Sequence, residues 1–219
     1  MVNVTVTMLT DRWQELAFSY APDGTRDAIG ALFALDVALG NILRTTREPL
    51  VGQMRLAWWR EALQGLDASG APAEPVLQSL AAAVLPLGIA GRALSEMVDA
   101  WEPLLGDSNA EWIDDHARLR GRKLFELAGV AVEASASDPI GEAGEGWALA
   151  DLAANLSDPV QANRAREHAA TTLAHAREPR WSRNGRALGA LALIADRRLR
   201  GPVPPTFVIR LARFRLTGR

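Results

Sequence analysis

The sequence predicts an all-α fold, and three observations support this. Ala and Leu dominate the 219 residues, β-branched residues are sparse after the first few positions, and apolar residues recur at helical spacing. The alternating stretch at residues 2–7 is too short and isolated to build a sheet. Proline and glycine punctuation divides the chain into nine or ten predicted helices, near residues 11–20, 25–46, 50–66, 75–86, 88–105, 109–136, 144–156, 159–177, 183–199 and 205–216.

Local signals support several of these helices. Dense apolar spacing over residues 29–39 predicts a helix that is buried on most sides. Glu48-Pro49 ends that helix, because proline clashes with the turn before it. Residues 108–111, SNAE, have the form of a capping box. Asp158-Pro159 places a capping aspartate ahead of proline at the first helical position.

Length and composition bound the class of protein. No linker divides the chain, so residues 1–219 are predicted to form one helical-bundle domain. The absence of cysteine excludes disulfides, thiolate zinc sites and cysteine nucleophiles. A net charge of -2 argues against a nucleic-acid-binding protein. No apolar run is long enough to span a bilayer, and the N-terminus does not resemble a signal peptide, so we expect a cytoplasmic protein.

The C-terminal segment has a different charge from the rest of the chain. Residues 181–219 contain nine arginines and one acid, Asp196. The predicted final helix is basic and amphipathic, and two interpretations are open. It either lies on an anionic surface at the inner face of a membrane, or closes the bundle with its arginines in water. The first interpretation makes the protein peripheral to the membrane.

An Arg/Trp cluster follows Pro49. On a helix Arg55 and Trp59 are i,i+4 neighbours, so the guanidinium is predicted to lie against the indole face. One interpretation is structural, with one tryptophan in the core and the other in a surface cation–π pair. The other is an arginine-lined mouth of an apolar cavity, formed by Arg55, Trp58, Trp59 and Arg60 and suited to a diphosphate or an anionic partner.

The sequence predicts no catalytic residue and no metal ligand. Asp114-Asp115 lacks a third carboxylate three or four residues on, and is interpreted as helix-dipole electrostatics. His116, His168 and His175 match no metal pair and are predicted to be surface or satisfied core residues. Neither a nucleophile elbow nor a phosphate-binding glycine loop occurs.

The order of these features resembles the squalene/phytoene synthase family. After Arg26, the segment ALFALD at residues 31–36 looks like the family's R-x-A-x-x-A-L-Y-A-F helix. The segment EPLVGQMRLAWWR at residues 48–60 is similar to the family's stretch ending in R-L-x-W-W-R. Residues 116–128, HARLRGRKLFELA, resemble a later family helix that carries small residues. The resemblance implies a bundle of the isoprenoid (terpenoid) synthase type.

Catalytic members of that family hold magnesium with two aspartate-rich motifs, D-D-x-x-D and D-x-x-x-D. Here the first motif would fall on residues 40–44, GNILR, which contain no carboxylate. The second would fall on residues 151–155, which leave a single carboxylate, Asp151. The resemblance therefore implies a degenerate site without a cofactor. The ligand-binding candidates that it indicates are Arg26, Asp36, Arg44, Arg55, Trp59 and Arg60.

Two function hypotheses follow. The first is a non-catalytic binding or respiratory-complex assembly protein, because the family's mitochondrial complex I assembly factor also keeps the scaffold without the aspartates. Its partner would be a protein or an apolar, isoprenoid ligand, and not a nucleic acid. The second is a prenyltransferase, which condenses prenyl diphosphates while arginines hold the diphosphate. Magnesium would be needed only in this second case.

Overall fold

A computed structural model describes residues 11–105 and 112–219, and these residues form α-helices and short helical turns without β-strands. The helices are α1 (Arg12–Phe18), α2 (Arg26–Thr45), α3 (Pro49–Ser69), α4 (Pro75–Ala83), α5 (Gly91–Ser95), α6 (Trp112–His116), α7 (Lys123–Ala131), α8 (Ile140–Asn155), α9 (Pro159–Arg177), α10 (Arg186–Arg198) and α11 (Phe207–Thr217). Short 3₁₀ turns occupy Leu85–Leu87, Glu96–Ala100 and Glu102–Leu105, and a π-helical segment, Ala117–Arg122, joins α6 to α7. The predicted all-α fold is confirmed.

Two predicted helices are wrong in detail. The helix predicted at 88–105 is α5 followed by two 3₁₀ turns, and the second of these turns contains Pro103. The helix predicted at 109–136 is interrupted by the π-helical segment and ends at Ala131, shortly before Glu133 takes a positive φ of 52°. The predicted capping box at 108–111 and the stretch at 2–7 lie outside the described residues.

Other boundaries agree with local chemistry. Helix α3 begins at Pro49, one residue before the predicted start at 50. Asp158 caps α9, since its Oδ1 accepts a hydrogen bond of 2.9 Å from the backbone N–H of Val160. Helix α8 begins at Ile140, earlier than the predicted 144, because its glycines are positions of close helix packing rather than breaks.

Helix α2 runs through the core. Its side chains at Ile29, Leu32, Leu35 and Leu39 are fully buried, as its sequence predicts, although Val37 on the same helix is exposed. Among the described residues α2 is also the one helix long and apolar enough to cross a bilayer by length and composition. Of its most apolar window, 56% is buried inside the bundle, which is the pattern of a core helix.

The π-helical segment and α8 approach each other very closely. A Cβ atom on Gly121 would lie 2.1 Å from the carbonyl oxygen of Gly144, and a Cβ on Gly144 would lie 2.2 Å from that of Gly121. Only glycine at both positions allows this separation. The close approach brings the N-terminal half of α8 next to the residues that precede α7.

Candidate functional site

A buried arginine connects three helical segments at the centre of the bundle. Arg120 lies in the π-helical segment and is 7% exposed. Its Nε and Nη2 donate to the two carboxylate oxygens of Asp36 on α2, at 2.8 and 2.9 Å. Its Nη1 donates to Oδ2 of Asp151 on α8, at 2.6 Å. The contact to Asp36 is bidentate, which is the strongest geometry between a guanidinium and a carboxylate.

Two indole rings contact the same guanidinium. The Cζ atom of Arg120 lies 4.8 Å from the ring centroid of Trp101 and 4.9 Å from that of Trp147. Both distances are within the range of a favourable cation–π interaction, which is strengthened when the cation is removed from water. The carboxylates therefore accept hydrogen bonds from the N–H groups of Arg120, while the two indole rings pack against the face of its guanidinium.

The charge of Arg120 is permanent. Burial alone would lower the pKa of its guanidinium, but the charges of Asp36 and Asp151 more than offset this and hold the pKa above its ordinary value. Asp36 is buried as well, whereas the side chain of Asp151 is partly open to water. The two carboxylates and one guanidinium leave this cluster with one net negative charge, located on its more exposed side.

The π-helical conformation sets the direction of Arg120. A π-helix inserts an extra residue into the helical turn, and such segments are often found at functional sites. Here the segment Ala117–Arg122 has Arg120 and Gly121 buried side by side. Gly121 permits the contact with α8, and Arg120 reaches both neighbouring helices.

His116, at the end of α6, is a buried and satisfied core residue, as one of the two sequence interpretations predicts. Its Nδ1 lies 3.1 Å from the carbonyl oxygen of Ala100, and its ring meets Trp101 edge-on at 5.4 Å. Because a carbonyl only accepts, Nδ1 carries the proton and donates it. Burial, followed by the positive charge of Arg120, lowers the pKa of His116 to about 4.

Arg44 lies at the edge of the cluster. Asp36, Gly40 and Arg44 are spaced by four residues along α2 and therefore share one face. A Cβ on Gly40 would lie 3.0 Å from the Trp101 ring, so glycine leaves the space that this ring fills. Burial lowers the pKa of Arg44, the charge of Asp151 acts against this, and Arg120 adds to it. Within the described part of the chain Arg44 forms no ion pair, and it donates to Oδ1 of Asn41.

Arg26 and Arg60, which the sequence also indicates as ligand-binding candidates, lie away from this cluster. Arg26 is exposed at the start of α2, and its Nη2 is 3.9 Å from Oδ1 of Asp23. Arg60 on α3 forms ion pairs with Asp99 at 2.6 Å and with Glu102 at 2.7 Å. These pairs hold α3 against the two 3₁₀ turns, and they compensate the charge of Arg60 locally.

The predicted cation–π pair between Arg55 and Trp59 is wrong. Arg55 instead donates to the hydroxyls of Thr45 and Thr46 at 3.0 and 2.9 Å, so it ties α3 to the end of α2. Trp59 is buried in the core, and Trp58 is half exposed and meets Trp59 edge-on at 5.5 Å. The hydroxyl oxygens of Thr45 and Thr46 accept hydrogen bonds from Arg55, whereas an indole face does not. This explains why Arg55 does not lie against Trp59.

The residues present do not fit magnesium. Residues 40–44 on α2 contain no carboxylate, and Asp36 and Asp151 already accept hydrogen bonds from Arg120. Across residues 11–105 and 112–219, no group of three or more His, Asp or Glu side chains could hold a metal ion. Magnesium requires several oxygen ligands, whereas here the guanidinium of Arg120 already occupies part of both carboxylates and would repel a second cation beside them.

Sequence reasoning missed Arg120, Trp101 and Trp147, and treated Asp151 only as a lone acid. One signal was present. Asp36 falls on the apolar face of a helix predicted to be buried on most sides, and a buried carboxylate requires a cation or hydrogen-bond donors. The partner itself is 84 residues away along the chain, so no local pattern identifies it.

A separate cleft of about 250 Å³ lies near the C-terminus, between α9, α10 and α11. Its walls combine apolar and aromatic side chains with three arginines and one acid. The lining residues are Ala176, Arg177, Glu178, Trp181, Gly189, Ala192, Leu193, Arg210, Phe214 and Arg219.

Removing the cation of the cluster is expected to be costly. Arg120→Met leaves Asp36 buried without a partner, so the free energy of unfolding should fall by about 3–5 kcal/mol. The double variant Asp36→Leu/Arg120→Met removes both charges, so its free energy of unfolding should fall much less. Urea unfolding measures both values. Arg60→Met is the surface control and should cost about 0–1 kcal/mol. A double variant as unstable as Arg120→Met would show that charge pairing is not the reason.

His116 should make the fold less stable in weak acid. Its pKa of about 4 in the fold lies below the ordinary value of 6.5, so the unfolded chain binds a proton first. The contribution is complete above pH 6.5 and is lost as the pH falls towards 4, on the order of 3 kcal/mol in total. Urea unfolding of the wild type and His116→Gln from pH 7.5 to 4.5 should show this slope only in the wild type. A His116 ring signal that titrates near 6.5 by NMR would contradict it.

Comparison with known proteins identifies the N-terminal region. Residues 10–115 match the family model for squalene/phytoene synthase. Curated proteins and solved structures give no match. The matched residues include α1 to α5 with Asp36 and Trp101, whereas Arg120 and Asp151 lie beyond them. The all-α architecture is that of an isoprenoid synthase-type fold. The N-terminal region, just under half of the chain, is therefore similar to the squalene/phytoene synthase family.

Proposed function

We propose that this chain is a non-catalytic member of the squalene/phytoene synthase family. In this proposal it works as a binding protein in the assembly of a larger complex. The observation that carries the proposal is the guanidinium of Arg120 between Asp36 and Asp151. By the resemblance described above, catalytic members hold magnesium between carboxylates of these two helices. Here the guanidinium of Arg120 pairs with Asp151, the one carboxylate in the second motif, and with Asp36, which lies one helical turn before the first motif.

The contacts of Arg120 favour a site that is closed to magnesium and to diphosphate. A magnesium ion or a diphosphate at this place would have to compete with two ion pairs and two cation–π contacts of Arg120. Breaking a buried pair by removing one partner typically costs about 3–5 kcal/mol. A metal bound with ordinary affinity would have to repay this cost before any transition-state stabilisation could begin.

Aromatic packing next to the cluster supports the same proposal. Phe33, Phe125 and Trp147 form mutual ring contacts, with centroids 5.5 to 6.0 Å apart. Phe18 extends the group, at 5.2 Å from Phe33. A prenyl chain entering beside Arg120 would have to displace rings that already pack on one another, which costs well-packed core contacts.

An exposed apolar stripe on α3 supports a protein partner. Leu50, Met54 and Trp58 are spaced by four residues, so they lie along one side of the helix. Leu50 is 68% and Met54 66% exposed, and Trp58 is half exposed. Methionine and tryptophan are enriched at the centres of protein interfaces. The resemblance to the complex I assembly factor indicates a respiratory-complex subunit as the partner.

The prenyltransferase alternative receives less support from the geometry. Holding a diphosphate requires several guanidinium groups that converge on one place. Arg26 and Arg60 lie at separate surface sites with carboxylates nearby, and Arg55 is bound to threonine hydroxyls. Of the candidate arginines, Arg44 is the one that lies beside the central cluster.

The enzymatic question can be tested directly. Purified protein incubated with farnesyl or geranylgeranyl diphosphate and magnesium should release no pyrophosphate above a protein-free background. Arg44→Ala tests the alternative, with Arg55→Ala as its matched control on the neighbouring helix. Turnover that is lost in Arg44→Ala and kept in Arg55→Ala would overturn the non-catalytic proposal.

The proposed role in complex assembly can be tested in a deletion strain. A strain lacking the chain should keep normal isoprenoid levels and accumulate less assembled respiratory complex. Complementation with Leu50→Glu/Met54→Glu should fail, whereas Val160→Glu, a charge on the highly exposed Val160 of α9, should restore assembly. Normal assembly in the deletion strain, or full rescue by the α3 variant, would contradict the proposal.

A further inference from the structure

We infer that the outward face of α11 docks this protein on an anionic lipid membrane. The inference is independent of the proposed binding role, because it rests on a different helix. Three buried side chains, Phe207, Leu211 and Phe214, hold α11 on the bundle. The helix therefore has a complete core contact, and the residues on its other side are available to a partner.

That other side is apolar along its middle. Ile209, Ala212 and Leu216 are spaced three and four residues apart, so they form one ridge along α11. Ile209 is 70% and Leu216 78% exposed, and Ala212 is exposed too. Large aliphatic side chains on the outer ridge of an otherwise amphipathic helix gain nothing from water, and they suit burial in an apolar phase.

Arginines flank the ridge on both sides. By helical geometry Arg210 and Arg213 lie on one side of it and Arg215 lies on the other. All three are exposed, and within the described part of the chain none of them forms an ion pair. Arg215 lies over the ring of Tyr20 with its Cζ 5.1 Å from the centroid, which fixes its position without neutralising its charge.

The basic surface continues beyond α11. Arg180 and Arg186 donate to the carbonyl oxygens of Thr217 and Arg215 near the end of the helix. Burial lowers the pKa of Arg186, and the positive charges of Arg183 and Arg180 lower it further. In the adjoining cleft Glu178 is the one acid among the lining residues, against three arginines.

This combination matches a membrane surface better than other anionic partners. A helix lying in the interface buries its apolar ridge about 5–10 Å deep, at the level where headgroups meet acyl chains. Flanking arginines then reach the lipid phosphates, to which guanidinium groups bind well. Nucleic acid would use the arginines but would leave Ile209 and Leu216 exposed. An acidic protein partner remains an outcome of the test.

Vesicle co-sedimentation of the full chain tests the inference. The protein should bind phosphatidylcholine vesicles that contain phosphatidylglycerol about tenfold or more tightly than phosphatidylcholine alone, because several arginines face the anionic surface. Binding should weaken as salt is raised. Equal binding to both kinds of vesicle, or binding to neither, would overturn the inference. Binding to a soluble polyglutamate in place of vesicles would assign the surface to an acidic protein.

Matched variants locate the contact. Ile209→Ser/Leu216→Ser should reduce vesicle binding about tenfold or more, because the ridge supplies the apolar part of the affinity. Arg213→Ser should reduce binding to anionic vesicles only. Val160→Ser changes an equally exposed valine on α9 and should bind like the wild type. All variants change exposed side chains, so circular dichroism should confirm the fold. Wild-type binding by the ridge variant would overturn the assignment to α11.

Discussion

The central constraint in this protein is a carboxylate buried in its core helix. Asp36 lies on α2 among fully buried aliphatic side chains, and a buried charge is tolerated only when it is paired and hydrogen-bonded. Arg120 supplies both with two hydrogen bonds. Its own burial is compensated in turn by Asp151 and by two indole rings. The π-helical segment and the Gly121–Gly144 approach are the backbone features that allow one side chain to serve α2 and α8 together.

Much of the fold could be predicted because helical signals are local. Apolar spacing identified α2 as a core helix, Glu48-Pro49 marked the junction between α2 and α3, and Asp158 was correctly assigned as a cap. The site could not be predicted in the same way. The contact between Arg120 and Asp36 depends on how helices that are distant in sequence pack together. The packing of α3 against the end of α2 likewise brings Arg55 to the hydroxyls of Thr45 and Thr46 and not to Trp59.

The resemblance to the family and the proposed function are connected by the charges at the centre of the bundle. Where the resemblance leads one to expect carboxylates and magnesium, residues 40–44 are neutral or basic and Arg120 provides the positive charge from within the protein. In the proposed function this side-chain cation stabilises the structure and does not assist the departure of pyrophosphate. In the proposed function the bundle is a rigid support, and its outer faces on α3 and α11 carry the interactions with a protein partner and with a membrane.

The most direct measurement of the central claim is NMR of the Arg120 side chain in the folded protein. A guanidinium held by Asp36, Asp151 and two indoles should give a separate Nε–Hε signal that exchanges slowly with water. That signal should not change when magnesium and farnesyl diphosphate are added. A signal averaged with those of exposed arginines, or one that shifts when magnesium and diphosphate bind, would contradict a closed site.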